Sequence, residues 1–180
     1  MEILSSNLID IIKNRKSIRN FTFKKLTQQV IKEILECGNS ALEENVSQPY
    51  RVNVVTHPTV KMMLAEILTE HTNIYEMASC VFVIFLDLDR STNRIKDVLA
   101  IGAFIENILL GAHALPKIGA ISLDINLDYK DKINEIFKLS NKRFELMAIV
   151  AIGAIDEEIE KLGSKRSKNR KSIEEFTDWF

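Results

Sequence analysis

The segment IIKNRKSIRNF, residues 11–21, sets four cations, Lys13, Arg15, Lys16 and Arg19, around one hydroxyl, Ser17. Like charges at this density repel, and a bound anion is the natural compensation. An arginine and a serine two residues apart can converge on a single phosphoryl group. The guanidinium offers a planar donor fork and the hydroxyl a short, adaptable donor. Each charge-assisted hydrogen bond contributes about 1.5–3 kcal/mol, so two or three outweigh the repulsion among the cations. A second basic run lies far along the chain, with six Lys or Arg between Lys161 and Lys171. Two other readings compete: a solvated charged surface, the usual fate of charge runs, and a small nucleic-acid-binding module. The latter needs many phosphate contacts with aromatic residues interleaved. Here Phe21 and Phe23 follow the first cluster, and the formal net charge is only -1. No G-x-G-x-x-G or G-x-x-x-x-G-K loop occurs, so side chains must hold any nucleotide phosphate.

Other reactive residue types give less. Cys37 and Cys80 lie among apolar neighbours without C-x-x-C spacing, as expected for buried, reduced thiols of a cytoplasmic protein. His57, His71 and His113 lack metal-ligand spacing, and no metal is expected. The N-terminus has neither the basic leader nor the apolar run of a signal peptide. Residues 98–115 are almost wholly apolar but carry Glu106 and Asn107 at their middle. Charge at mid-span is costly in lipid, so a buried helix is expected, with Glu106 and Asn107 as a satisfied polar pair inside it. Met62, Met63 and Phe104 read as core.

These groups must be positioned by a chain of 180 residues, 46% hydrophobic and 27% charged, a size that suits one domain. Leu8, Ile11 and Ile12 give a first helix. Thr27 before QQVIKEILEC and Gly38 after it delimit a second. RVNVV (51–55) alternates like a strand, and Pro58 opens a third helix. CVFVIFL (80–86) and LMAIVAI (146–152) read as buried strands, with a short strand at 118–123 and a short helix at 129–138. The long helix from about 97 to 115 is apolar nearly all round, so it must be covered on several sides. In a chain this short, a second subunit is a source of that cover. Residues 159–180 form a basic arm ending in Phe176, Trp179 and Phe180, a cluster that predicts docking rather than disorder. Residues 1–158 form the core that precedes it. The order of elements gives an α+β or α/β fold, a small sheet wrapped by helices.

Four stretches, in order, resemble the flavin-dependent nitroreductase family. R-K-S-I-R (15–19) is similar to its R-x-S-x-R opening, and S-Q-P-Y-R-V-N-V-V (47–55) to its Q-P-W/Y loop and strand. G-A-F-I-E-N-I-L-L-G-A-H-A-L (102–115) resembles its central helix. A-I-V-A-I-G (148–153) with K-N-R-K-S-I-E-E-F (168–176) resembles its last strand and basic tail. The resemblance implies an α+β fold: a three-layer α/β/α sandwich, with a small mixed sheet around a central buried helix and a C-terminal arm docking on the partner subunit. It also implies a homodimer with FMN at the subunit interface and NADH or NADPH as electron donor. The acceptor would be a nitroaromatic, a quinone or a similar small molecule. By the same resemblance Arg15 and Ser17 would hold the FMN phosphate, joined by Lys168 and Arg170, with Lys16 along the ribityl chain. Arg19 would face the pyrimidine edge of the flavin, where a cation favours the reduced, anionic ring. Gln48 and Pro49 would shape the wall beside it. Departures from the family pattern fall at residues 39–49 and 116–124, near the expected flavin face. The alternative is an FMN-binding protein of the same fold with little redox turnover.

Overall fold

The computed structural model describes residues 2–41, 48–162 and 170–180. The sheet at its centre has four strands: β1 (Tyr50–Val55), β2 (Cys80–Asp87), β3 (Ile118–Leu123) and β4 (Phe144–Ala154), in the order β1-β2-β4-β3. Every pairing among them is antiparallel. The mixed sheet expected from sequence is therefore corrected: β2 and β3 run the same way, but β4 lies between them and pairs with both. β2 shows why its sequence has no polar side. Cys80, Phe82, Ile84 and Leu86 join one apolar cluster and Val81, Val83 and Phe85 the other, so both faces are covered. A strand roofed on both sides reads as a continuous apolar run rather than an alternation.

One roof is made by α2 (Gln28–Asn39) and α5 (Arg94–Ala114), and the other by α3 (Pro58–Ile67), α4 (Thr72–Met77) and α6 (Lys130–Ile136). The layers are α/β/α, as expected. The Thr27 hydroxyl caps α2 by accepting from Val30 N at 3.3 Å. Gly38 does not end that helix. It lies within it, where a Cβ would meet Ile108 Cγ1 at 2.8 Å and Phe104 at 2.9 Å, so its role is close packing against α5. Asn93 caps α5, its side chain accepting from Ile95 N and Lys96 N. Phe104, Ile108 and Ala112 point into the core, but Ile95 and Leu99 on the opposite side are exposed. A single chain thus leaves one apolar face of α5 bare, together with Leu8, Ile9 and Ile12 of α1 (Glu2–Asn14). Among the described residues no helix is long and apolar enough to cross a membrane.

Met62 and Met63, expected in the core, are partly exposed at 42% each. They sit on α3 beside Lys61, and it is Lys61 that turns inward. Its Nζ donates to the carbonyls of Glu76 (2.9 Å) and Ala78 (2.5 Å), tying α3 to the end of α4. Desolvation lowers its pKa. At the far end of the sheet, buried Asp87 accepts two hydrogen bonds from Arg143, at 2.9 and 2.8 Å, locking the end of β2 to the start of β4.

Candidate functional site

The basic segment after α1 is fixed to the sheet by a steric device. Gly119 of β3 and Gly153 of β4 are register partners. Directly paired residues share a face, so two missing side chains leave a trough there. Ile18 and Phe21 fill it, 1% and 2% exposed. A Cβ on Gly119 would meet Ile18 Cγ1 at 2.4 Å, and one on Gly153 would meet Phe21 Cδ1 at 2.9 Å. Backbone bonds complete the seat: Ile18 N donates to Ala120 O (3.0 Å), and Thr22 N to Ala154 O (2.9 Å). With Ile18 turned into the trough, its neighbours in sequence are left at the surface. Ser17 is partly buried and Arg19 is exposed.

Two carboxylates face these cations. Arg15, whose side chain is 18% exposed, approaches Glu106 of α5 with Nε–Oε1 3.4 Å. Lys16 Nζ lies 4.0 Å from Glu160 Oε2 of α7 (Glu157–Leu162). The other Glu160 oxygen accepts from Arg19 N, Asn20 N and Asn20 Nδ2 at 3.1–3.2 Å. Glu160 is therefore an anchor for the backbone of this segment, and its contact with Lys16 is long. His113, near the end of α5, completes the surroundings. Burial first, then the charges of Arg15 and Lys16, hold its pKa below the ordinary histidine range. The result is a corner with two weakly compensated cations and a partly buried imidazole, a donor set that fits a phosphate dianion.

The other expected residues lie elsewhere. Gln48 and Pro49 precede β1, at the opposite edge of the sheet and the opposite strand end from the trough. Three strand spacings separate the two edges, about 14 Å, and six residues of strand add about 20 Å lengthwise. A small cofactor cannot touch both corners of one chain. Gln48 adopts a left-handed backbone, φ 40°, unusual for a residue with a Cβ. Its Nε2 donates to Asn39 Oδ1 at 3.0 Å, an oxygen that the Tyr50 hydroxyl also reaches at 3.4 Å. Pro49 is buried, and its carbonyl accepts from Asp87 N. Arg170 is exposed and makes no hydrogen bond or ion pair among the described residues. Lys168 lies outside the described residues, as do positions 42–47 of the loop before Gln48.

Sequence reasoning missed several participants. Glu106 was expected as part of a buried polar pair, yet its side chain is 53% exposed and it serves Arg15. Its position on the one uncovered face of an apolar helix was the available signal. Glu160 carried a signal too, in the acidic run EEIE just before the second basic cluster. Asn39 and His113 carried none that spacing could disclose.

This fold, with its basic segment seated at the sheet edge, is the nitroreductase fold. A "putative nitroreductase in complex with fmn" from Desulfovibrio desulfuricans matches with TM-score 0.82 at 27% identity, over 96% of this chain and 97% of that one. The "NADPH:FMN oxidoreductase" of Vibrio harveyi, solved with NAD+, matches with TM-score 0.80 at 19% identity, over 93% of this chain and 74% of that one, a likeness of fold alone. In sequence, the "Putative NAD(P)H nitroreductase YdgI" of Bacillus subtilis (strain 168) is 29% identical over 90 residues, 49% of this chain. The chain spans 43% of that relative's length. No protein-family model matches the chain. The chain resembles the FMN-dependent nitroreductases in both sequence and fold.

Proposed function

We propose that this chain is an FMN-dependent oxidoreductase that takes reducing equivalents from NADH or NADPH and passes them to a nitroaromatic, a quinone or a similar small acceptor. One observation carries the proposal: Arg15, Lys16 and Ser17 project from a segment locked in the Gly119–Gly153 trough, with both cations only loosely compensated. Rigid placement of donors before the ligand arrives lowers the cost of binding. The proteins that share the fold point the same way, since two nitroreductases were solved with FMN and other relatives bear NAD(P)H or NADPH in their names.

Arg15 and Ser17 hold the phosphate, Lys16 lies along the ribityl chain, and Arg19 faces the pyrimidine edge. Lys168 and Arg170, in the arm of residues 159–180, add charge to the same phosphate. The bound flavin supplies the hydride-accepting and hydride-donating ring, and the chain supplies orientation and charge. Gln48 and Pro49 stand too far from Arg15 in one chain to serve the same flavin, so they belong to the site of a second copy. A homodimer that buries the bare face of α5 and the exposed Leu8, Ile9 and Ile12 of α1 meets that requirement. It also gives Phe176, Trp179 and Phe180, exposed in the single chain, a surface to dock on. The two unpaired cysteines agree with a cytoplasmic setting.

The purified protein is expected to be yellow, to bleach anaerobically on addition of NADH or NADPH, and to regain colour with a nitroaromatic or quinone. A yellow protein that never bleaches would assign it to flavin binding without turnover. A colourless one that takes up no FMN would refute the proposal.

A further inference from the structure

His113 stands beside the anion site without a role in it so far. Glu106 and His113 are seven residues apart on α5, so they lie within about 20° of each other around the helix and about 10 Å apart along it. Glu106 reaches Arg15 at 3.4 Å, which puts the arginine on that same face. His113 is partly buried, and among the described residues its ring makes no hydrogen bond. The charges that act on it are Arg15 and Lys16, both from the segment after α1. Behind them stand Glu106 on its own helix and Glu160 on α7, each paired with one of those cations. Beyond the helix end, Lys117 is matched by Glu157 at 3.6 Å.

We propose that His113 is a further cation-forming group of the anion site, taking a proton from solvent when a phosphate dianion binds at Arg15 and Lys16. The inference rests on the phosphate role assigned above to Arg15. In the free chain the charges of Arg15 and Lys16 oppose protonation of the imidazole. A bound dianion reverses the sign of the field at His113. Binding thus adds two negative charges to the corner, and one imidazolium offsets half of them. Affinity contributed by His113 is therefore absent at high pH and grows as pH falls through the titration of the bound state.

The flavin phosphate itself gains a proton near pH 6, so the informative comparison is wild type against His113→Gln at each pH. FMN is titrated against both proteins by quenching of flavin fluorescence at pH 8 and pH 6. The two should bind alike at pH 8, while at pH 6 the wild type should bind about three- to tenfold tighter, as one unit of histidine shift allows. The His113 Cε1–H resonance of the wild type, followed by NMR with and without FMN or inorganic phosphate, should show its titration moving to higher pH with either. That measurement needs no variant, so it decides the matter if His113→Gln fails to fold. Arg15-dependent FMN binding, with equal pH profiles for wild type and variant and an unmoved resonance, overturns the role of His113 alone. Absence of FMN binding at both pH values overturns this inference and the proposed function together.

Discussion

Replacing Gly119 by alanine tests whether the trough in the sheet seats the anion site. The new methyl would sit 2.4 Å from Ile18 Cγ1 and 2.6 Å from its Cβ. Carbon atoms settle at about 3.5–4.0 Å, so segment and strand must part by about 1 Å. Ile18 has little freedom to yield: it is 1% exposed, and its amide is bound to Ala120 at 3.0 Å. Overpacking of this kind costs about 1–3 kcal/mol, which for a chain of this size lowers the melting midpoint by about 2–12 °C. The same displacement shifts Ser17 and its neighbours, and loss of one charge-assisted hydrogen bond to phosphate weakens FMN binding by at least about tenfold. Gly38→Ala is the control, since it overpacks α2 against α5, where Ile108 and Phe104 lie within 2.9 Å of the new carbon. Thermal melting and FMN titration on both variants separate the effects. Gly119→Ala should lose stability and affinity, and Gly38→Ala chiefly stability. Wild-type FMN affinity in a destabilised Gly119→Ala protein would refute the claim that this trough positions the site.

Other outcomes follow from particular contacts. Asp87 has its pKa lowered, first by the hydrogen bonds from Arg143, so its stabilising effect is full above the ordinary carboxylate range and fades as pH falls through the depressed value. Asp87→Asn should therefore lower the melting midpoint by about 5 °C at pH 7, with a shrinking difference below about pH 4; an equal loss at pH 3 would contradict this. Burial pushes the Cys80 thiol up to about 12, whereas Cys37 is partly exposed. A thiol reagent at pH 8 should modify Cys37 in the native protein and reach Cys80 only after unfolding, as peptide mapping would read directly. Arg19→Ala should lower the reduction potential of bound flavin more than it lowers occupancy, because a cation at the ring favours its anionic reduced form; spectroelectrochemistry measures both.

Much of the fold was legible because the elements advertise themselves. The run 80–86 could only be a strand roofed on both sides, and Thr27 and Pro58 marked helix starts that the structure keeps. The basic segment proposed to hold phosphate was legible too, since charge and hydroxyl spacing belong to contiguous residues. What stayed hidden depends on register between distant strands. The Gly119–Gly153 trough exists only once β3 and β4 pair, and nothing local to either glycine announces it. Glu106 was misplaced because an apolar helix looks buried on every side, although the single chain covers only part of it. Gly38 read as a stop signal because a helix end and a close helix crossing both favour glycine. The separation of Gln48 and Pro49 from Arg15 is a matter of strand order, which follows from the crossover of β3 past β4 and not from any residue in either motif.

The most direct test of the central claim is an equilibrium titration of FMN against the wild type, Arg15→Ala and Ser17→Ala. If this corner holds the flavin phosphate, the wild type binds FMN, and each substitution weakens binding by about one to two powers of ten. Equal FMN affinity in all three proteins would show that the basic segment on the glycine trough is not the phosphate site.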